Sequence, residues 1–129
     1  MSLYGASRLS GCDPQLVQLF TRVGERRSVQ VIQGPRTVQQ EVDAITTHHS
    51  ALKNPMDSLH VIGPGRPLSL AVDAAPWPVD WKDIPGFVNL AVVVKSCALE
   101  LGIALEWGGD WQSFKDYSHY QLLQETTNA

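Results

Sequence analysis

The sequence is poor in several features that would assign it to a particular class of protein. It has two cysteines, Cys12 and Cys97, which lie far apart and in no CxxC spacing. This excludes a disulfide framework and favours buried or free thiols in a reducing compartment. Residues 1–10 lack the charged-then-apolar layout of a signal peptide. No apolar run approaches the ~20 residues that a membrane span requires.

Charge of one sign is also scarce. The formal net charge is -3, which removes the broad electrostatic argument for a nucleic acid or an anionic membrane as partner. The chain has 129 residues, 43% of them hydrophobic, which is enough for one core and too little for two. Because no linker or repeat divides it, we expect a single domain over residues 1–129 and a monomer.

Three helices are predicted from capping residues and helical spacing of apolar residues. Asp13 and Pro14 begin the first helix, and Gly24 suggests its end. Thr37 caps a second helix over residues 38–47, with Val38, Val42 and Ile45 on its apolar face. The third and longest covers residues 86–101 and ends at Gly102.

Four segments have the composition of β-strands: residues 29–32, 70–74, 103–107 and 119–123. Residues 48–59 and the inserted turn between the second helix and the second strand are predicted loops, residues 75–85 a rigid connection, and residues 124–129 a frayed tail. The resulting fold class is α+β: a small, mainly antiparallel sheet with two or three packed helices.

Ionisable side chains at strand ends are the candidate chemical groups. His60 and Asp73 lie at the rims of apolar segments, and Asp116 precedes His119 by three residues. Imidazole nitrogens and carboxylate oxygens are good zinc ligands, and three of them plus a water form the usual catalytic pattern. Taken alone, a histidine or aspartate at a strand end is more often a hydrogen-bonded structural residue. The other two histidines, at positions 48 and 49, are interpreted as solvated loop residues.

Five segments, in order, resemble one family of peptidases. Residues 31–37 are similar to the pattern G-x-R-T, residues 58–63 to S-x-H-x-x-G and residues 71–73 to A-x-D. The fourth segment is the Trp-Gly-Gly-Asp-Trp turn at residues 107–111, and residues 116–122 are similar to D-x-P-H-[FV]-[EQ]-L. The sequence thereby resembles the zinc D-alanyl-D-alanine carboxypeptidase superfamily, and within it the phage-endolysin branch, the L-alanyl-D-glutamate peptidases. The resemblance covers about residues 7–123, with no separate wall-binding module.

The resemblance implies a role for each matching residue. His60, Asp73 and His119 correspond to the zinc ligands, and Asp116 to the catalytic general base. A bound zinc ion polarises the scissile carbonyl and lowers the pKa of a bound water, and the base accepts that water's proton. Asp73 with two neutral imidazoles would leave the zinc net positive.

Four more residues match the family's pattern near the site. Arg36 is implied to hold a substrate carbonyl or the developing oxyanion; the alternative is a surface arginine bonded to loop carbonyls. Ser58 would either hydrogen-bond substrate or cap the turn. Trp107 and Trp111 would either line the substrate groove or pack in the core.

The sequence departs from the family's spacing between the first histidine and the aspartate. Residues 64–69 are an insertion, so twelve residues rather than six separate His60 from Asp73. Since the cost of closing a loop grows slowly with its length, we expect a protruding loop with His60 and Asp73 still converging. Arg66 in this loop would be solvated or touch an anionic substrate group. Ser118 replaces a frequent proline, and Gln121 has an equivalent in the pattern.

The resemblance implies a zinc peptidase that cuts a peptidoglycan stem peptide, first of all its L-Ala–D-Glu bond. One alternative is a D-Ala-D-Ala carboxypeptidase or dipeptidase, and another is a degenerate, non-catalytic domain that binds the wall or builds a phage particle. Without a signal peptide, such an enzyme would stay in the host cytoplasm until a holin-like pore let it reach the wall.

Overall fold

The computed structural model describes residues 1–46 and 58–123, and the expectations for residues 48–57 and 124–129 lie outside this range. The strands are β1 (Leu3–Tyr4), β2 (Val29–Gln33), β3 (Ala71–Pro76), β4 (Leu105–Trp107) and β5 (His119–Leu122). The α-helices are α1 (Pro14–Arg26), α2 (Val38–Thr46) and α3 (Ile84–Leu101), and short 3-10 helices span Ala6–Leu9 and Gly108–Asp110.

The strands form one sheet in the order β1-β2-β3-β5-β4. β1 is parallel to β2, and the other neighbours are antiparallel. The expected α+β fold with a mainly antiparallel sheet is therefore confirmed. β1 was not expected, because a two-residue strand carries no periodicity and is held only by its pairing with β2.

Helix α1 begins as its sequence predicts and ends later. The Asp13 carboxylate accepts a hydrogen bond from the backbone N–H of Gln15 at 2.9 Å, and Pro14 occupies the first turn. The helix continues through Gly24 to Arg26, so the expected end at Gly24 is wrong. Gly24 serves packing instead, because a Cβ there would lie 2.8 Å from the Cβ of Leu3 on β1.

Helix α2 starts with a capping box at Thr37. The Thr37 hydroxyl accepts from the N–H of Gln40 at 3.1 Å, and the Gln40 side chain accepts from the N–H of Thr37 at 2.9 Å. The predicted apolar face is not buried in the part of the chain that the structure describes, since Val38 and Val42 are exposed. The fully buried residue is Glu41, which pairs with an arginine described below.

Helix α3 is the central helix of the core. Its start is two residues earlier than predicted, where Asp83 accepts from the N–H of Gly86 at 3.0 Å. It ends at Gly102, whose φ of 70° is the expected left-handed cap. By length and composition alone α3 could cross a membrane, but its Phe87, Leu90 and Val94 side chains are buried in the core.

Helices α1 and α3 cover one face of the sheet, and the opposite face carries several polar side chains. Strand residues alternate between faces, and Val72, Trp107, Tyr120 and Leu122 belong to the core beneath α1 and α3. The ring of Tyr120 meets that of Phe20 on α1 edge to face, with centroids 5.7 Å apart. The intervening residues of β3, β4 and β5 therefore lie on the face opposite the helices.

We predict that Phe20→Ala destabilises the fold by about 3–5 kcal/mol, because it removes a buried ring and leaves a cavity beside Tyr120. Urea unfolding followed by circular dichroism measures the change. Leu99→Ala is the matched control on a helix surface, since Leu99 is 84% exposed, and it should change the free energy of unfolding by less than about 0.5 kcal/mol. Equal losses in both variants would contradict the assignment of the core.

Candidate metal centre

Three side chains from distant parts of the sequence meet on the open face of the sheet. Asp73 on β3 is the register partner of His119 on β5, and His60 reaches them from the loop before β3. One ligand atom from each residue lies within 4.8 Å of the others. His60 Nε2 is 3.4 Å from Asp73 Oδ2, and His119 Nδ1 is 3.3 Å from Asp73 Oδ1. The expected convergence of His60 and Asp73 across the insertion is confirmed.

The ring of His60 is oriented by the backbone. Its Nδ1 lies 2.9 Å from the carbonyl oxygen of Gly34, so this nitrogen carries the proton and donates. The other nitrogen, Nε2, is buried and has no hydrogen-bond partner within residues 1–46 and 58–123. Position 34 requires glycine, because a Cβ there would collide with the carbonyl of Arg8. With Nδ1 bonded to Gly34, the Nε2 atom of His60 faces Asp73.

The ring of His119 is oriented by a side chain. Its Nε2 lies 2.7 Å from Oε1 of Gln121, which accepts a hydrogen bond from it. The other nitrogen, Nδ1, faces Asp73. The two imidazole rings are 5.1 Å apart and inclined by 69°. The indole of Trp111 packs beside His119 with ring centres 5.2 Å apart. Both histidines thus turn one nitrogen toward the same carboxylate.

The charges of the cluster support one another. Burial disfavours ionisation of Asp73, but the neighbouring His119 and His60 imidazoles outweigh this and hold its pKa well below the usual range. Burial likewise disfavours the charged form of His119, yet the neighbouring Asp73 carboxylate raises the pKa of this imidazole above its ordinary value. An ionised carboxylate between two imidazoles is a site that stabilises a positive charge.

The donor set fits a divalent metal ion. It combines two imidazole nitrogens and one carboxylate oxygen, and three protein ligands leave a coordination position for water or substrate. Each imidazole uses its second nitrogen for a hydrogen bond, as metal-ligating histidines do. The unpartnered, buried Nε2 of His60 is the atom that such an ion would satisfy.

The inserted segment is folded back against the site. Residues 64, 65, 67 and 68 are exposed, as expected of a protruding loop, but Ser69 is fully buried and bonds through its backbone to Gly11 and Asp13. The guanidinium of Arg66 donates to the carbonyl of Ser58 at 2.7 Å. Arg66 therefore stabilises the loop that carries His60, which the sequence did not indicate.

Asp116 lies at the turn that leads into β5. Its Oδ1 accepts from the Ser118 hydroxyl at 3.1 Å, and its backbone N–H donates to the carbonyl of Gly108 at 3.1 Å. Gly108 allows this approach, since a Cβ there would collide with the Asp116 carbonyl and lie 3.1 Å from the Cβ of His119. The backbone N–H of His119 donates to the Asp116 carbonyl at 3.2 Å, so the two residues adjoin in this turn.

Arg36 is joined to the His60 segment through its backbone. Its N–H donates to the carbonyl of His60 at 2.8 Å, and its own carbonyl accepts from Ile62 at 2.9 Å. Its guanidinium forms an ion pair with the buried carboxylate of Glu41. The backbone of Arg36 is thus next to that of His60 in space, and Glu41 restrains the Arg36 side chain. Sequence reasoning missed Glu41, for which a carboxylate in the first turn of α2 was the available signal.

The remaining predicted residues occupy different environments. Ser58 is buried, and its carbonyl accepts from Arg66. Trp107 is 6% exposed and belongs to the core, which was the alternative to a place in the groove. Its indole N–H donates to the carbonyl of Tyr117 at 2.9 Å. Trp111 is half-buried beside His119.

Gln121 and Glu106 complete the surroundings of the centre. The Gln121 amide donates to Oε2 of Glu106 at 3.1 Å, and Trp111 donates to Oε1 of Glu106 at 2.9 Å. The sequence analysis gave neither residue a role in the site. A signal existed, because Gln121 follows His119 by two residues and so lies on the same face of the strand.

An α+β domain with a His–Asp–His cluster that could bind a metal ion defines a candidate metalloenzyme. A family model described as phage L-alanyl-D-glutamate peptidase matches residues 1–126. The chain is 36% identical over 99 residues to the L-alanyl-D-glutamate peptidase of Escherichia phage T5, covering 74% of this chain and 67% of that relative. The crystal structure of the Serratia marcescens L-Ala D-Glu endopeptidase ChiX superposes with a TM-score of 0.76 at 28% identity, covering 91% of this chain and 84% of the other.

The chain belongs to the phage L-alanyl-D-glutamate peptidase family. The family resemblance drawn from the five sequence segments is therefore confirmed, and so is the fold class that it implied.

We predict that Gly108→Ala weakens metal binding, because the new methyl group would push the Asp116 turn and His119 apart. Isothermal titration with zinc measures the affinity. Gly102→Ala is the control: it has open space, and its left-handed backbone costs about 1 kcal/mol of stability without touching the centre. Unchanged zinc affinity in Gly108→Ala would contradict the close packing of these groups.

Proposed function

We propose that this protein is a zinc peptidase that hydrolyses the L-Ala–D-Glu bond of peptidoglycan stem peptides. The observation that carries the proposal is the convergence of His60, Asp73 and His119 in a chain of this family. Two relatives named for the same bond, from a phage and from Serratia marcescens, support the choice of substrate.

His60 Nε2, Asp73 and His119 Nδ1 would hold the zinc ion. Two neutral nitrogens and one carboxylate are a common ligand set of catalytic zinc. When bound, zinc supplies Lewis acidity toward the scissile carbonyl and lowers the pKa of a bound water. The chain's contribution is to orient both imidazoles, through the Gly34 carbonyl and the Gln121 amide.

Asp116 is proposed as the general base and acid. Its carboxylate accepts a proton from the attacking water as the new C–O bond forms at the alanine carbonyl carbon. The same proton then passes to the departing amine of D-glutamate as the C–N bond breaks. The Ser118 hydroxyl, bonded to Oδ1, fixes the plane of the carboxylate during both transfers.

Arg36, Ser58 and Trp111 are proposed to contact the substrate. The backbone of Arg36 is bonded to that of His60, which supports a place beside the metal ligands, and a guanidinium suits a carbonyl or oxyanion. Trp111 beside His119 would form a wall of the groove. Trp107, packed in the core, would support that wall rather than touch substrate.

The proposed place of action is the cell wall. We propose that a monomer acts there after leaving the host cytoplasm through a holin-like pore. Residues near the N-terminus are part of the fold, since Leu3 pairs with Val29 and Leu9 lies in the core. The formal net charge of -3 gives no bulk attraction to an anionic wall, so recognition depends on the site itself.

Metal content is the first test. We predict one zinc ion per chain by elemental analysis, loss of lysis of permeabilised cells on chelation, and recovery on adding zinc. Asp73→Ala should lose the metal because it removes a ligand. Asp110→Ala is the control, since this exposed carboxylate pairs with Lys95 and should leave zinc content unchanged. Full zinc content in Asp73→Ala would contradict the assigned ligands.

The cleaved bond is the second test. Digestion of purified muropeptides should release peptides that begin with D-glutamate and leave L-alanine on the glycan, as mass spectrometry would show. Asp116→Asn should lower the rate about 10²–10⁴-fold with zinc retained, because it removes the proton acceptor. Release of free D-alanine would instead indicate the carboxypeptidase alternative, and a metal-loaded protein with no products would indicate the non-catalytic one.

A further inference from the structure

A chain of side-chain hydrogen bonds runs from His119 along the open face of the sheet. It passes from His119 Nε2 to Gln121 Oε1 over 2.7 Å and from Gln121 Nε2 to Glu106 Oε2 over 3.1 Å. We propose that Glu106 is a positioning residue that sets the tautomer of His119 through Gln121. This inference rests on the proposed function, in which His119 binds the metal through Nδ1.

The strands place the three groups side by side. Glu106 on β4 and Gln121 on β5 are register partners, so their side chains emerge from the same face at neighbouring positions. His119 precedes Gln121 by two residues and shares that face. His119 is buried, and Glu106 and Gln121 are half-buried, all three on the face of the sheet away from α1 and α3. The sheet itself therefore keeps the relay aligned.

The direction of each hydrogen bond follows from the acceptors of Glu106. A carboxylate has acceptors and no donor, so the Gln121 group that faces it must be the NH2. The amide oxygen of Gln121 must then face His119, which obliges Nε2 to carry the ring proton. Nδ1 is then the nitrogen that faces Asp73, 3.3 Å from its Oδ1, and it is the one available to a metal ion. One negative group thereby orients a ring that is two hydrogen bonds away.

Trp111 closes the far end of the relay. Its indole nitrogen is only a donor, and it donates to Oε1 of Glu106 at 2.9 Å. Both oxygens of Glu106 thus accept a hydrogen bond from a fixed neighbour, which holds the carboxylate plane. Because the same indole packs beside the His119 ring, the ring is restrained from both the side and the edge.

The two imidazoles differ in how they are oriented. His60 donates to the backbone carbonyl of Gly34, which no side-chain substitution removes. His119 depends on Gln121, whose amide has two orientations, and only a partner of known polarity selects one of them. The polarity of Glu106 should therefore matter for His119 and not for His60. A chain of hydrogen bonds that ends in a carboxylate also makes the metal-facing nitrogen of His119 more basic.

The test exchanges the two polar groups. Gln121→Glu alone puts two carboxylates against each other, and Glu106→Gln alone removes the group that orients the Gln121 amide. The double variant Glu106→Gln/Gln121→Glu restores the full chain of hydrogen bonds with the carboxylate and the amide exchanged between the two positions. The carboxylate introduced at position 121 accepts from His119, and the amide introduced at position 106 donates to it and accepts from Trp111. Glu100→Gln, at the exposed partner of Arg26, is the control.

Two measurements decide the outcome. Nitrogen-15 NMR of the zinc-loaded proteins reports which nitrogen of His119 binds the metal and which carries the proton. His119→Ala identifies its signals. Competition with a zinc chelator reports the affinity of each variant. We expect the Nε2-protonated form and full affinity in the wild type, the control and the double variant. Glu106→Gln should show a mixed tautomer and an affinity about 10–100-fold weaker. Gln121→Glu should keep the Nε2 proton, because a carboxylate at position 121 can only accept, and should lose stability through repulsion by Glu106.

Two results would overturn the proposal. One is a Glu106→Gln protein that keeps a single Nε2-protonated His119 and wild-type zinc affinity. The other is a double variant no better than Glu106→Gln by both readouts, with unfolding curves showing that it is folded. A folded wild type that binds no zinc would instead refute the proposed metal ligands, so the two failures are distinguishable.

Discussion

The register of β3 against β5 is the constraint on which the rest of this structure depends. It sets Asp73 opposite His119, so that a carboxylate and an imidazole leave the sheet at adjoining positions on one face. A slip of β5 by one residue would turn His119 toward the helices and Tyr120 to the opposite face, and so separate His119 from Asp73. The buried contact between Tyr120 and Phe20 is therefore as necessary to the centre as the ligands are. Packing on one face specifies chemistry on the other.

Backbone hydrogen bonds bring the third ligand to this pair. His60 is on a loop, and the loop is bonded to Arg36 on one side and to the start of β3 through Leu59 and Leu70 on the other. The inserted residues add a further attachment, since Arg66 donates to Ser58. The inserted residues thus help to hold His60 in place, because they bond back to the segment that they extend.

Orientation of the nitrogens is the second requirement of the centre. Three ligand atoms within 4.8 Å are useful only when each imidazole presents a lone pair. A backbone carbonyl does this for His60, and the relay of Gln121, Glu106 and Trp111 does it for His119. Asp73, whose pKa is held low by both rings despite burial, supplies the negative charge. The family to which the chain belongs gives this arrangement its peptidase context.

The sequence by itself determined the order of helices and strands, the caps at Asp13, Thr37 and Gly102, and the residue types that converge. These features depend on short-range periodicity and on motif order, which a single chain displays directly. Only the tertiary structure decided the pairing of Arg36 with Glu41, the place of Trp107 in the core, the fold of the inserted loop and the bond between Gln121 and Glu106. Each of these depends on strand register or on contacts between distant segments, and local patterns do not encode which distant side chains become neighbours.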